Sequence, residues 1–573
     1  MSENRPSLVN TLPSLHERST ASSAPRWANV SLVVAAAVYL ILAGYVVSLS
    51  HNQLNPDGVA YLQTARHYAD GRLDLAVNSY WGPLLSWLLV PAVWAKADET
   101  LVVKLLGILL GLVFAAGVRS LAAKLGCPQH RSLAFAAALM LAVCMLPAPI
   151  TPDLLMAAVL TWYLALSVEL LWRGSAASAF RVGALGGLAY WVKAYALPFV
   201  FVHLCVTFAM RWWVARRRGA AQTTARPFAV AVAGQFLVAL PWIVIISVHD
   251  GAFTTGSAGR LTRAAFSPIS GDSGNPGPIQ LLQRPRSGRV SSWENPVEIP
   301  GNWSEWSPLD GARGARHQLL TTFREGIKTL TYLKNADALG LLMCGWLILL
   351  CLLMKSGFPT ARKEDVACLW ACLTVGVYAG GYSMIYSEQR FLWAVWGIML
   401  AAAIAAFAQL GGKSDGLHHA APAPDSTAAP RSRLARNCLA GILLASISYN
   451  VLVTLDEWRG PSGLGRDADW VRDASRTAVG ARQCAATDWY TGLYLSFWAR
   501  TTFLGRIDGR SAEAVARELL PYGDTRVLVY EDSALSQGLS ESPLFSRVAD
   551  STNPVGRRQL VVFDFHPSPE PAR

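Results

Sequence analysis

Residues 28–50, ANVSLVVAAAVYLILAGYVVSLS, decide the class of fold. The run carries no charge. It is too long for the apolar core of a signal peptide and meets the roughly 20 residues a helix needs to cross a bilayer. It reads as a first membrane span, with Arg26 inside and the polar stretch His51–Gly82 outside. The same alternation recurs along the chain. Of 573 residues, 52% are hydrophobic and only 15% charged, with a mean hydropathy of +0.30, which excludes a string of soluble domains. Residues 1–27, rich in Ser, Pro and Arg, are expected to form a disordered cytoplasmic tail.

Further spans are expected at Leu101–Ser120, Ser132–Pro147, Leu154–Trp172, Val182–Trp213 (two short spans broken near Pro198), Phe228–Val248, Leu339–Met354, Val366–Tyr386, Phe391–Leu410 and Cys438–Leu455. Pro83–Ala95 is too short to cross and reads as a helix lying in the outer interface. With that choice nearly every short basic loop falls on one side, as the positive-inside rule requires. The fold class is thus a polytopic α-helical membrane protein of about eleven spans, residues 28–455. A small α/β domain, residues 456–573, follows on the outer side. It should hold helices at Asp467–Val479 and Ala512–Leu520, strands at Gln483–Thr487, Arg526–Tyr530 and Gln559–Phe565, and a sheet of three or four strands.

The net charge of +12 does not point to nucleic acid. From Asp456 onward the chain has 14 Arg, no Lys and 16 Asp plus Glu, a balance of −2, so the positive surplus lies among the spans and reports topology. The nine cysteines form no metal-binding or disulfide framework; Cys368 and Cys372 read as small packing residues.

Polar groups gather at the outer mouths of the spans. They are Asn55-Pro56-Asp57-Gly58 with Tyr61, Arg66, His67 and Asp70; Thr151-Pro152-Asp153; Trp191-Val-Lys193-Ala-Tyr195; and Tyr382 through Tyr386 to Glu388-Gln-Arg390-Phe-Leu. Each has a structural reading. Asp57 could cap the helix that follows it, Thr151-Pro152-Asp153 could start another, Lys193 could snorkel, and Arg390 could anchor a span end. Arg66 and Asp70 are spaced for an i,i+4 pair, and Tyr80 and Trp81 for an aromatic belt. Trp293, Trp303 and Trp306 could stack on sugars or pack a loop. Gly107/Gly111 and Gly183/Gly187 are small-xxx-small pairs suited to close helix packing.

As an ordered series over residues 28–455, these motifs resemble the GT-C glycosyltransferases, in particular the protein O-mannosyltransferase and aminoarabinose transferase superfamily. The lone Asp57 after the first span, Gly71, and Trp81-Gly82-Pro83-Leu84 before a short apolar helix resemble that family's first outer loop. Thr151-Pro152-Asp153 resembles its second acidic loop, and Glu388-Gln-Arg390-Phe-Leu its late Glu-Arg-Tyr-Leu segment. The chain has Asp57-Gly58 where the mannosyltransferases carry Asp-Glu, and it lacks a Lys-Pro-Pro motif, so the resemblance names neither sugar nor acceptor.

The resemblance implies a polyprenyl-phosphate sugar as donor and a lipid, glycan or protein as acceptor, at the outer face of a bacterial cytoplasmic (inner) membrane. On that reading Asp57 is the candidate general base. Arg390 and Lys193 would bind the donor phosphate and stabilise it as it leaves. Asp153, Tyr61, Glu388, Tyr386 and Tyr382 are candidate substrate or metal contacts. No cofactor is required by the motifs; a divalent cation shared by Asp57 and Asp153 is an open option. The alternatives are a glycolipid carrier or flippase, and a glycan ligase using a pyrophosphate-linked donor.

Overall fold

The computed structural model describes residues 26–147, 149–172, 174–217, 224–268, 282–299, 306–335, 363–412, 464–548, 553–555 and 558–567, with four isolated positions between 449 and 456. The helices are α1 (Arg26–Ser50), α2 (Pro56–Ala69), α3 (Leu73–Ala76), α4 (Pro83–Trp94), α5 (Glu99–Lys124), α6 (Arg131–Met145), α7 (Asp153–Leu170), α8 (Ala176–Val192), α9 (Ala196–Arg217), α10 (Ala225–Asp250), α11 (Ala258–Ala265) and α12 (Ala312–Asn335). They continue as α13 (Lys363–Ser383), α14 (Trp393–Gly412), α15 (Leu464–Ala478), α16 (Trp489–Ala499), α17 (Ala512–Leu519) and α18 (Ala534–Glu541). Among the described residues six helices (α1, α5, α7, α9, α10 and α13) are long and apolar enough to cross a membrane. The apolar helices α6, α8 and α14 pack among them. Residues 1–25 of the expected tail and the expected spans at 339–354 and 438–455 lie outside the described residues, apart from single positions in the last; residues 26 and 27 belong to α1.

The bundle alternates in direction. Lys124 at the end of α5 pairs with Glu169 at the end of α7 at 2.7 Å, so these two helices run the same way. Glycine lets neighbouring helices touch. A Cβ on Gly183 would meet the Ala231 carbonyl oxygen of α10 at 1.8 Å, and one on Gly187 the Gln235 carbonyl oxygen at 2.5 Å, so α8 and α10 meet backbone to backbone. Gly111 accommodates the Tyr39 hydroxyl in the same manner. Cys368 and Cys372 are buried packing residues of α13.

Helix α4 does not cross. Gly82, just before it, lies against the carbonyl of Val192 at the end of α8. Trp94 at its far end donates to the Ala69 carbonyl of α2. Both ends therefore sit at the same end of the bundle. The expected break near Pro198 falls earlier, at Lys193–Tyr195, and Pro198 lies in the first turn of α9. Proline is tolerated there because first-turn N–H groups have no helical partner, so it starts a helix instead of interrupting one.

The C-terminal sheet has six strands, not three or four: β1 (Cys484–Ala486), β2 (Phe503–Arg506), β3 (Thr525–Tyr530), β4 (Phe545–Arg547), β5 (Asn553–Val555) and β6 (Arg558–Phe565). Their order is β2-β1-β3-β6-β4, with β5 also on β6. β2, β1 and β3 are parallel; β6 runs antiparallel to β3, β4 and β5. The extra strands are three or four residues long, too short to show a period-2 pattern. Side chains alternate across the sheet. Ala485, Val527, Val529, Val561 and Phe563 pack under α17 and α18, whereas Cys484, Ala486, Leu528, Leu560 and Val562 join α16 and the main core. Arg472 of α15 ties this domain to the bundle, at 2.8 Å from Asp98 before α5 and 2.5 Å from Asn52 after α1.

Candidate functional site

Four chain-distant segments meet at one end of the bundle. Asp57 lies in the first turn of α2, whose N-cap is Asn55; its carboxylate caps nothing. Its Oδ2 accepts from Arg390 Nη1 at 2.8 Å, and its Oδ1 from the Trp293 indole N–H at 3.4 Å. Arg390 sits in the short turn Gln389–Leu392 that opens α14. Its Nε also donates to Glu388 at 2.5 Å and stands 3.8 Å from Asp153 Oδ2. Asp153 begins α7 and is 3% exposed; its Oδ1 takes Lys193 Nζ at 2.5 Å. Asp153 Oδ2 is buried and accepts no hydrogen bond. Lys193 is freed for this pairing by the break between α8 and α9, and its Nζ also lies 4.1 Å from the Phe391 ring centroid.

Asp57, Glu388 and Arg390 thus join Asp153 and Lys193 in one chain of ion pairs. Burial opposes the charge on Arg390, but Asp57, Asp153 and Glu388 outweigh it and hold its pKa above the ordinary value. Tyr61, 2% exposed, faces the same carboxylates. Burial, then Asp57 and Asp153, raise its pKa, so its hydroxyl stays protonated. Tyr382 stacks on Phe391 at 4.9 Å and meets Tyr195 at a tilt, 3.9 Å away. Tyr386 lies further out, 6.3 Å from Phe391 and 5.3 Å from Phe266.

Other expectations are corrected. Arg66 pairs with Glu99 at 2.6 Å, not with Asp70, because the start of α5 brings a carboxylate closer than the helix's own spacing does. Trp81 is no interfacial belt residue. It is 9% exposed and packs between Tyr61, Tyr80 and Trp293, with its N–H directed to the Trp293 carbonyl. Tyr80 packs with it, and burial raises its pKa. Trp306 is a packing residue that donates to the Arg263 carbonyl; Trp303 lies outside the described residues. Sequence reading gave no site role to Phe391, to Trp293's bond with Asp57, or to Glu294. Glu294 holds the Trp293 turn by accepting from Val290 N–H, Ser291 N–H and, at 3.0 Å, His67 of α2. No local spacing signals a contact between residues 67 and 294.

A divalent cation fits poorly between Asp57 and Asp153, since Arg390 already faces both carboxylates. Among the described residues no group of three His, Cys, Asp or Glu is placed to hold a metal.

No protein-family model and no curated protein sequence matches the chain. Solved structures do. ArnT from Cupriavidus metallidurans in the apo state superposes with a TM-score of 0.55 at 15% identity, covering 95% of this chain and 99% of that one. The apo oligosaccharyltransferase of Archaeoglobus fulgidus superposes with a TM-score of 0.51 at 13% identity, covering 88% of this chain and 69% of that one. The chain therefore has the fold shared by ArnT and this oligosaccharyltransferase.

Proposed function

We propose that the protein is a glycosyltransferase that moves a sugar from a polyprenyl-phosphate donor to an acceptor at the outer face of the membrane. One observation carries the reading: Arg390 bonds Asp57 and Glu388 and faces Asp153, which holds Lys193. Cations able to hold a phosphate and a carboxylate able to take a proton therefore share one mouth.

In the proposed reaction the donor phosphate draws Arg390 and Lys193 toward itself and loosens their bonds to the carboxylates. The acceptor O–H donates to Asp57. Its oxygen attacks the anomeric carbon, the bond from that carbon to the phosphate oxygen breaks, and the proton passes to Asp57. The anomeric configuration inverts, and polyprenyl phosphate leaves with its charge on Arg390 and Lys193. Asp153, bonded to Lys193 and 3.8 Å from Arg390, holds both cations at the mouth. Trp293 fixes the other face of the Asp57 carboxylate. No step is routed through a metal.

The test is transfer of labelled sugar from a lipid-linked donor in membranes containing Asp57→Asn. Loss of a general base should lower the rate by about 10²–10⁴-fold. A folded Asp57→Asn protein with full activity would remove Asp57 from the role.

A further inference from the structure

A second polar cleft lies in the C-terminal domain, outside the ion-pair site. It measures about 940 Å³. It opens at the C-terminal ends of β1, β2 and β3, between the loops that lead into α16, α17 and α18. The chain leaves β1 to one face of the sheet through α16 and leaves β2 to the other through α17, so the loops part above the strands. Open α/β sheets place their ligands in such crevices.

The lining selects the ligand class. Asp488, Arg506, Asp508 and Arg510 contribute no net charge. Arg506 is paired with Asp508, and Arg510 with Glu518 at 3.0 Å. The helix N-termini are closed by their own side chains: Asp488 accepts from Thr491 N–H, Ser511 from Ala514 N–H and Ser533 from Ser536 N–H. The cleft therefore presents no surplus of positive charge to hold a phosphate. What the cleft offers is a mixed polar wall of carboxylates, guanidiniums and hydroxyls, in which Tyr530 donates to Asp488 and Ser533 to the Tyr530 carbonyl, beside the Tyr490 ring, half of it exposed. Neutral sugars match that set: hydroxyls that donate and accept, and C–H faces that lie on aromatic rings.

The cleft also adjoins the ion-pair site. Trp489 forms part of its wall and is 6.3 Å from Trp293, ring to ring, and Trp293 bonds Asp57. We propose that this cleft binds a neutral oligosaccharide, the glycan part of the acceptor, and holds it beside Asp57. The assignment of the glycan as acceptor rests on the transferase reading above; the binding itself does not.

The experiment titrates the full-length protein in nanodiscs with a panel of neutral gluco-, manno- and galacto-oligosaccharides, and separately with inorganic phosphate. At least one oligosaccharide should bind the wild type and Asp57→Asn equally, and bind Tyr490→Ala and Asp508→Asn about tenfold more weakly or worse. In transfer assays the same two variants should raise the acceptor KM and leave transfer of the donor sugar to water unchanged. Binding that ignores both cleft substitutions overturns the proposal. So does a panel in which no oligosaccharide binds, whether or not phosphate does. If oligosaccharides bind as expected but Asp57→Asn retains full transfer, the reading of Asp57 fails and the cleft stands.

Discussion

His67 Nε2 and Glu294 Oε2 stand 3.0 Å apart, 5% and 2% exposed, and join helix α2 to the turn that carries Trp293. Asp57 lies on the same α2, so one helix holds the candidate base and the anchor of the turn that orients it. His67→Ala should leave the Glu294 carboxylate short of a partner in a buried place. That costs about 1–3 kcal/mol and should lower the melting temperature in detergent. His67→Gln, which can still donate, should lose less. Equal melting of all three proteins would show that the pair holds nothing in place.

Arg390→Lys keeps a charge but cannot reach Asp57 and Glu388 together, as the guanidinium does. The donor KM should rise about tenfold with little change in melting temperature. Among the described residues, Arg390→Met leaves Asp57, Asp153 and Glu388 with Lys193 as their remaining cation, and should lower stability as well. Thermal scans beside donor titrations separate the two effects. A lysine variant with the wild-type KM would argue against phosphate contact.

Acid should loosen the C-terminal domain at one identifiable tie. Burial works against the Asp98 carboxylate, but the Thr100 hydroxyl, the Leu101 N–H and Arg472 prevail and hold its pKa below the ordinary value. A carboxyl depressed in the folded state contributes stability above its unfolded pKa and loses it as pH falls through the folded one. The protection of residues 464–478 against hydrogen exchange, relative to an unfolded chain at the same pH, should therefore be high at neutral pH and fall below about pH 4. Asp98→Asn should remove most of that pH dependence, and an unchanged profile would locate the acid-sensitive tie elsewhere.

Gly183→Ala should destabilise the bundle, because the added methyl meets the Ala231 carbonyl of α10, which cannot rotate away. Gly44→Ala is the control: nothing lies within 4 Å of its Cβ position. A melting temperature that drops only for the first variant confirms close packing between α8 and α10.

Cys484 should resist maleimide in the folded protein. Burial pushes its thiol up to about 12, against the smaller opposing effects of Ser496 and Arg526, so thiolate is scarce at neutral pH. Peptide mass spectrometry should find it labelled only after denaturation; rapid labelling of the native protein would contradict the packing of α16 on β1.

Much of this molecule is determined by local chemistry. A run such as 28–50 must be a span, because an uncharged helix of that length is stable in hydrocarbon and has no other place to hide its surface. The order of motifs also placed Asp57, Asp153, Lys193 and Arg390 at span mouths, since a charge near a helix end is tolerated where one at its centre is not. Spacing could not say which charges meet. Arg66 pairs with Glu99 and not Asp70, Trp293 reaches Asp57, and Glu294 receives His67, because helix packing brings together groups that are remote along the chain. The short strands that complete the sheet likewise exist only through their neighbours: three residues carry too few backbone bonds and too little buried surface to hold themselves extended.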